Sequence, residues 1–335
     1  FEIEKKLKSG EEEVLTYDLT PKVRGEYQFG LTNVFIESFL GLVQRRIRRG
    51  TETMVPVYPS IIQMREMQLK ALSSLSYQEG IKKVRRLGHS YEFEQIKNYV
   101  RGDDYRSINW KASSHRGSLM VNSYQDERAQ QVYCLLDKSR VMRMPFDGLS
   151  LMDYAINTCL VISNIVLQKQ DRAGLISFSD IIGTTIKAEK KSNQLNKILA
   201  ALYREKERNL EANYELLYHA SRKLIKGRSL LILFTNFESS YALERVLPIM
   251  RRINNLHLLV VVFFKNTEIL DFAKSEVKST EEIYLQTIAQ QFISEKEQMV
   301  QKLRQYGIQA ILTRPEDLSI NTINKYLELK SRGLI

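Results

Sequence analysis

The chain predicts an α/β fold: a mostly parallel sheet with flanking helices, preceded by a partial β-sandwich. Three observations carry this reading. From Gln131 onward, short apolar runs alternate with stretches of helical period; the apolar runs are continuous rather than every-other-residue; and residues 1–60 hold strand-like runs without helical period. Continuous apolar strands belong to sheets covered on both faces, and regular strand–helix alternation belongs to parallel order.

Taken in order, Glu12–Leu19, Tyr27–Ile36 and Met54–Tyr58 are rich in Val, Tyr, Phe, Leu and Thr and are punctuated by Pro21, Gly25 and Pro59. These strands are too few to close a sandwich. Residues 1–60 are therefore expected to be part of an immunoglobulin-like β-sandwich whose N-terminus is missing, because the chain starts at Phe1 and enters strand pattern without a signal-peptide layout. Ile61–Leu75 turns helical, and residues 61–130 read as a helical and charged connection. Connections of that length are usually functional or interfacial. The sheet domain, 131–335, follows: strand Val132–Leu136, helix Leu151–Leu167, strands Ala173–Phe178 and Ile181–Ile186, and helices Leu195–Tyr203 and Tyr214–Leu224. Strand Leu230–Phe234, helix Ala242–Ile253, strand Leu258–Phe264, helix Glu281–Tyr306, strand Ala310–Thr313 and helix Pro315–Lys330 complete it.

Composition narrows the function classes. The 335 residues are 43% hydrophobic with a formal charge of +11, enough apolar material for two cores. Between Gly41 and Gln125, fifteen Lys/Arg face seven Asp/Glu, so the excess is concentrated rather than spread. Such a surplus suits a solvated face, an anionic membrane surface or an acidic protein; no stacking aromatics are interleaved as nucleic-acid binding requires. The longest apolar run, Leu258–Phe264, falls short of the ~20 residues that cross a bilayer. Cys134 and Cys159 lie within apolar elements and read as buried thiols in a reducing compartment. The four histidines lack zinc spacing, and phosphate-loop, dinucleotide and nucleophile-elbow motifs are absent from the sequence.

Two segments stand out. Tyr91–Trp110 reads YEFEQIKNYVRGDDYRSINW, packing Arg101, Gly102, Asp103, Asp104, Arg106 and Trp110 into ten positions. Asp103 and Asp104 after Gly102 suit a turn that caps a helical start or pairs with Arg101 or Arg106, and Trp110 is expected to anchor that turn in a pocket of the sheet domain. The second segment is Asp137-Lys138-Ser139 at the carboxyl end of a strand, where open α/β sheets place their ligands. Thr235-Asn236 ends another strand, and Asn213 opens a helix between them.

The strand-end layout resembles that of a von Willebrand factor type A-like (Rossmann-type) domain. The resemblance implies a metal-ion-dependent adhesion site at Asp137 and Ser139, with Asn213 in place of its threonine and Asn236 in place of its last aspartate. Val141 stands where a second serine is expected. With one carboxylate left, the residues read either as a lock between loops or as a weak Mg2+ site at Asp137 and Ser139, so no cofactor is required. A second likeness is more specific: Glu94, Tyr99, Gly102-Asp103-Asp104, Arg106, Ile108-Asn109-Trp110, Asn122 to Arg128, Met142 to Phe146 and Arg24 to Gly30 resemble domain of unknown function family fifty-eight. That resemblance implies a bacterial protein anchored at the cytoplasmic face of the inner membrane through a missing N-terminal segment. It also implies a MoxR-type AAA+ ATPase as partner, alongside other membrane or cytoplasmic proteins. The expected role is a non-enzymatic interaction module in complex assembly or remodelling. The alternative is a metal-dependent hydrolase or phosphoryl-transfer enzyme centred on Asp137.

Overall fold

The computed structural model describes residues 3–7, 10–21, 24–37, 43–59, 92–101, 103–125, 129–146, 148–275 and 279–334. The chain divides into two units, Phe1–Tyr58 and Pro59–Ile335. In the first, β1 (Gly25–Phe29) pairs antiparallel with β4 (Thr53–Val57), and β2 (Thr32–Glu37) pairs antiparallel with β3 (Gln44–Arg49). The run Tyr27–Ile36 is thus two strands, broken at Gly30 and Leu31. Glu12–Leu19 is not a strand: its residues are exposed and pair with nothing in a ladder, and β-propensity needs a partner to express itself. Conversely, β3 forms from the arginine run that reads as a charged face. Arg46 donates twice to Asn33 Oδ1, at 2.9 and 2.8 Å, and lies over the Phe35 ring.

The helix expected over Ile61–Leu75 lies outside the described residues. Further on, the expected charged connection carries regular structure: β5 (Glu92–Asn98) and β6 (Met120–Gln125) pair antiparallel around a 3-10 turn at Tyr105–Ser107 and a short helix α1 (Trp110–Arg116). Gly117 ends α1 at φ 64°, a left-handed position that suits glycine.

The main sheet is built from β7 (Gln131–Asp137), β10 (Arg172–Phe178), β11 (Ile182–Glu189), β12 (Leu230–Phe234), β13 (Leu258–Phe264) and β14 (Gln309–Thr313), in the order β11-β10-β7-β12-β13-β14. All pairings are parallel except that of the edge strand β11 with β10. A small pair, β8 (Pro145–Phe146) and β9 (Leu149–Ser150), sits in the loop after β7. The helices are α2 (Leu151–Gln168), α3 (Gln194–Leu202), α4 (Tyr214–Leu224), α5 (Ser240–Leu256), α6 (Thr267–Phe272), α7 (Thr280–Gln305) and α8 (Leu318–Ser331). Only α6 lacks a sequence expectation, since six residues are too few to display a helical period.

Side chains alternate across each strand, so the sheet feeds two cores. Val132, Cys134 and Leu136 of β7 join the core holding α2, α3 and α8; Tyr133 and Leu135 join the one holding α4, α5 and α7. Truncating a residue such as fully buried Leu135 to alanine costs about 2–5 kcal/mol. Both cysteines are free and buried. Among the described residues α2 alone is long and apolar enough to cross a membrane by length and composition, yet 67% of it is buried in the first core. Tyr326 donates to Asp171 Oδ2 at 2.5 Å and Lys330 joins it at 2.6 Å, fastening α8 to the start of β10. The strand order reverses between β7 and β12, and the crevice outside their carboxyl ends is where such sheets hold ligands.

Candidate functional site at the carboxyl edge

Register brings Leu136 of β7 beside Phe234 of β12, so Asp137 and Thr235-Asn236 fall on neighbouring loops, as the sequence predicts. Asp137 is fully buried. Its Oδ1 accepts the Ser139 amide at 2.9 Å and its Oδ2 accepts the Thr235 hydroxyl at 2.6 Å. The Tyr214 hydroxyl, at the start of α4, meets Thr235 Oγ1 at 2.8 Å. Burial pushes the Asp137 carboxyl above the usual carboxylate range, while Ser139, Thr235 and Tyr214 pull against that rise. Burial, and then the charge of Asp137, drive the Tyr214 phenol up. Ser139 Oγ is buried and makes no hydrogen bond of normal geometry among the described residues, although it stands close enough to Asp137 to favour its charged form.

The other expected members of the metal site turn elsewhere. Asn213 caps α4, its Oδ1 accepting the amides of Glu215 and Leu216, both at 3.1 Å. Asn236 Oδ1 accepts Lys296 Nζ of α7 at 2.9 Å, and the same ammonium donates to the Phe237 carbonyl. Burial holds Lys296 down to about 8, against the pull of Glu295 and Glu238. Val141 packs against the first core. Mg2+ takes near-octahedral hard oxygens, usually with one or two carboxylates. The arrangement here does not fit it: the single carboxylate is bonded at both oxygens, Asn213 is a helix cap, and an ammonium occupies the oxygen of Asn236.

A second buried network braces the same loop. Lys138 Nζ pairs with Glu205 Oε2 at 2.8 Å, with side-chain exposures of 12% and 4%, and Ser177 donates to Glu205 Oε1 at 2.6 Å. Burial pushes the Glu205 carboxyl up, but Lys138 and Ser177 outweigh it and the net shift is downward. A Cβ on Gly183 would lie 2.4 Å from Ser177 Oγ and 2.7 Å from Lys138 Nζ, both held by Glu205, so glycine at this point of β11 leaves room for the network. Outside this buried floor lies an exposed rim of charge pairs: Arg140–Glu211 at 3.2 Å, Arg245–Glu211 at 2.7 Å, Arg143–Glu207 at 3.5 Å and Arg208–Asp180 at 2.8 Å. Exposed pairs add little stability; they set which charges a docking surface accepts.

After β5, the stretch from Tyr99 to Trp110 is a turn held by its aspartates, and among the described residues neither Asp103 nor Asp104 pairs with an arginine side chain. Asp103 accepts the Val100 amide at 3.0 Å and Lys97 Nζ at 2.8 Å. Its carboxyl is held below the usual range, first by Lys97 and then by the Val100 amide. Asp104 caps the 3-10 turn through the Arg106 amide at 3.0 Å. Asn109 caps α1 and donates to Asn122 at 2.8 Å. Gly102 lies outside the described residues. Trp110 corrects the expectation of a pocketed anchor, being 70% exposed. It is the first residue of a seven-residue helix that buries none of its side chains. Tyr105 is nearly as exposed, Arg101 and Arg106 are exposed beside it, and Arg106 lies over the Tyr105 ring.

Sequence reasoning missed Lys296, Glu205 and the part played by Tyr214. Lys296 and Glu205 sit in charged stretches that read as solvated surface, and Tyr214 reads as one more apolar helix position. Only the packing of α7, α4 and the loop after α3 against the sheet brings them to the site.

The family described as protein of unknown function DUF58 matches residues 95–298. The uncharacterized protein YeaD of Bacillus subtilis (strain 168) is 25% identical over 124 residues, 37% of this chain and 31% of that protein; the match spans about a third of that relative's length. Among solved structures, the conserved hypothetical protein BatB from Bacteroides thetaiotaomicron has a TM-score of 0.43 at 11% identity, covering 61% of this chain and 99% of that one. An aerotolerance-related membrane protein from Bacteroides fragilis NCTC 9343 has a TM-score of 0.38 at 11% identity, covering 59% and 98%. The SpRpn10 VWA domain has a TM-score of 0.34 at 9% identity, covering 59% and 95%. With residues 95–298, more than half of its length, matched, the chain belongs to the DUF58 family, and its fold is a mostly parallel six-stranded sheet flanked by helices.

Proposed function

We propose that this chain is a non-enzymatic interaction module that docks a protein partner through the Tyr105–Trp110 segment and the rim of the carboxyl-edge loops, and that it works without a metal cofactor. The observation that carries the reading is the exposure of Tyr105, Arg106 and Trp110 within the family-matched region. A clasp built only for stability would bury its aromatics, whereas exposed Tyr, Trp and Arg are the residue types that dominate interface energetics. Against turnover at Asp137 stands its geometry: the carboxylate is buried and bonded at both oxygens, which leaves it no reach toward a substrate proton.

The proposed partner is a MoxR-type AAA+ ATPase, and the proposed setting is the cytoplasmic face of a bacterial inner membrane, reached through a segment preceding this chain. Both rest on family resemblance. Co-purification with a MoxR-type ATPase from the same bacterium tests the reading. Arg106→Ala and Trp110→Ala are expected to reduce capture about tenfold or more, as loss of interface anchors does, while Lys223→Ala on the exposed face of α4 leaves it unchanged. Equal capture by all folded variants would reduce the segment to a structural turn, and phosphoester turnover lost on Asp137→Asn would reinstate the enzyme.

A further inference from the structure

We infer that Lys296 is the built-in cation of the carboxyl-edge site, a lysine ammonium doing the loop-gathering that a divalent metal would otherwise do. Its Nζ donates to Asn236 Oδ1 at 2.9 Å and to the Phe237 carbonyl, and it lies 6.0 Å from the centre of the Phe263 ring. Asn236 directly follows Thr235, whose hydroxyl reaches Asp137. The positive charge therefore gathers two oxygens of the loop after β12, starting at the residue next to Thr235, the hydrogen-bond partner of the buried carboxylate. The neighbouring Glu295 completes the clamp: its Oε1 accepts the Ser240 amide at 2.6 Å, at the first residue of α5. Two consecutive residues of α7 thus hold both ends of the loop running from Asn236 to Ser240.

The residue types suit an ammonium and not a metal. Asn236 offers a neutral amide oxygen, enough to accept from Lys296, where a carboxylate would bring in a second negative charge beside Asp137. A divalent ion seeking that oxygen would have to displace an ammonium already bonded to it, at the cost of like-charge repulsion. The loop is consequently closed without depending on metal supply. The clamp belongs to the fabric of the site and stands whichever partner docks there.

The test is a gain of metal binding. Isothermal titration of the purified chain with MnCl2 and MgCl2 is run on wild type, Lys296→Met, Asn236→Asp and the double variant, with circular dichroism confirming folding; Lys296→Gln replaces Lys296→Met if the latter unfolds. Wild type is expected to show no binding below millimolar metal. The double variant, which removes the ammonium and restores a carboxylate, should bind Mn2+ roughly tenfold or more tighter than wild type, and Asp137→Ala placed on top of it should abolish that gain. Micromolar Mn2+ binding by wild type overturns the inference, as does a folded double variant no better than wild type.

Discussion

Thr235 and Asp137, 98 residues apart in sequence, meet at 2.6 Å across the point where the strand order reverses, with the hydroxyl donating to the carboxylate. Neither group sees solvent. The contact is a charge-assisted hydrogen bond that joins the ends of β7 and β12, and Tyr214 extends it to α4. Thr235→Val keeps the shape and removes the donor, so it should cost about 1.5–3 kcal/mol, the range for a hydrogen bond to a charged group. Tyr214→Phe leaves the Asp137 contact in place and should cost about 0.5–1.5 kcal/mol. Urea denaturation of the two variants separates the values; a Thr235→Val variant as stable as wild type would mean that the contact does not hold the loops.

The Lys138–Glu205 pair makes a sharper demand, because Glu205 is buried and would be left as an unpaired charge if the largely covered Lys138 were removed, and the reverse holds for Lys138. Glu205→Ala should therefore lose about 3–5 kcal/mol, and Lys138→Met/Glu205→Leu should recover most of it. Gly183→Ala tests the same network from β11: its methyl would press first on Ser177 Oγ and then on the Lys138 ammonium, so its effect should shrink in a Ser177→Ala/Lys138→Met background. Additive losses would show that Gly183 is constrained by something else.

The sequence is legible where the determinants of structure are local and stops where they are not. Tyr214–Leu224, Leu230–Phe234 and Leu258–Phe264 are read to the residue because apolar continuity and helical period are local properties. Asp137 and Asn236 are placed on adjacent loops because strand ends are local too. Lys296 is a different case: it lies sixty residues from Asn236 in a long charged helix, and the packing of α7 alone reveals its role. β3 and β5 hide for a related reason, since arginines and mixed polar residues mask the strand period until a partner strand is known.

His257 provides the pH prediction. It caps the end of α5 before β13, is 4% exposed, and neither ring nitrogen makes a hydrogen bond of normal geometry among the described residues. Burial pushes its pKa below the ordinary 6.5, with the Gly227 carbonyl pulling the other way. The folded state therefore holds this imidazole neutral, while the unfolded chain takes up a proton as the pH falls through 6.5. The stability it confers is complete above 6.5 and is lost as the pH drops through the lower folded value. His257→Phe should flatten that part of the profile. Urea midpoints at about pH 7.5 and about pH 5.5 should lie closer together in the variant than in wild type; an identical separation would assign the acid sensitivity to other groups.

Trp110 separates the two roles that its segment could play. A buried tryptophan replaced by alanine costs about 3–5 kcal/mol, but this one is 70% exposed on a helix with no buried residue. Trp110→Ala should therefore change stability by no more than about 0.5 kcal/mol, as surface substitutions do. Asn109→Ala at the adjacent cap should cost about 0.5–2 kcal/mol, because it removes the acceptor for the Ala112 amide. That order of stabilities makes Trp110 a clean probe of binding: if a Trp110→Ala chain of unchanged melting temperature no longer captures the ATPase, the indole itself is a binding anchor and the fold is intact. If Trp110→Ala instead destabilises the chain as a core truncation would, the ring is buried in solution, and its exposure cannot be what a partner recognises.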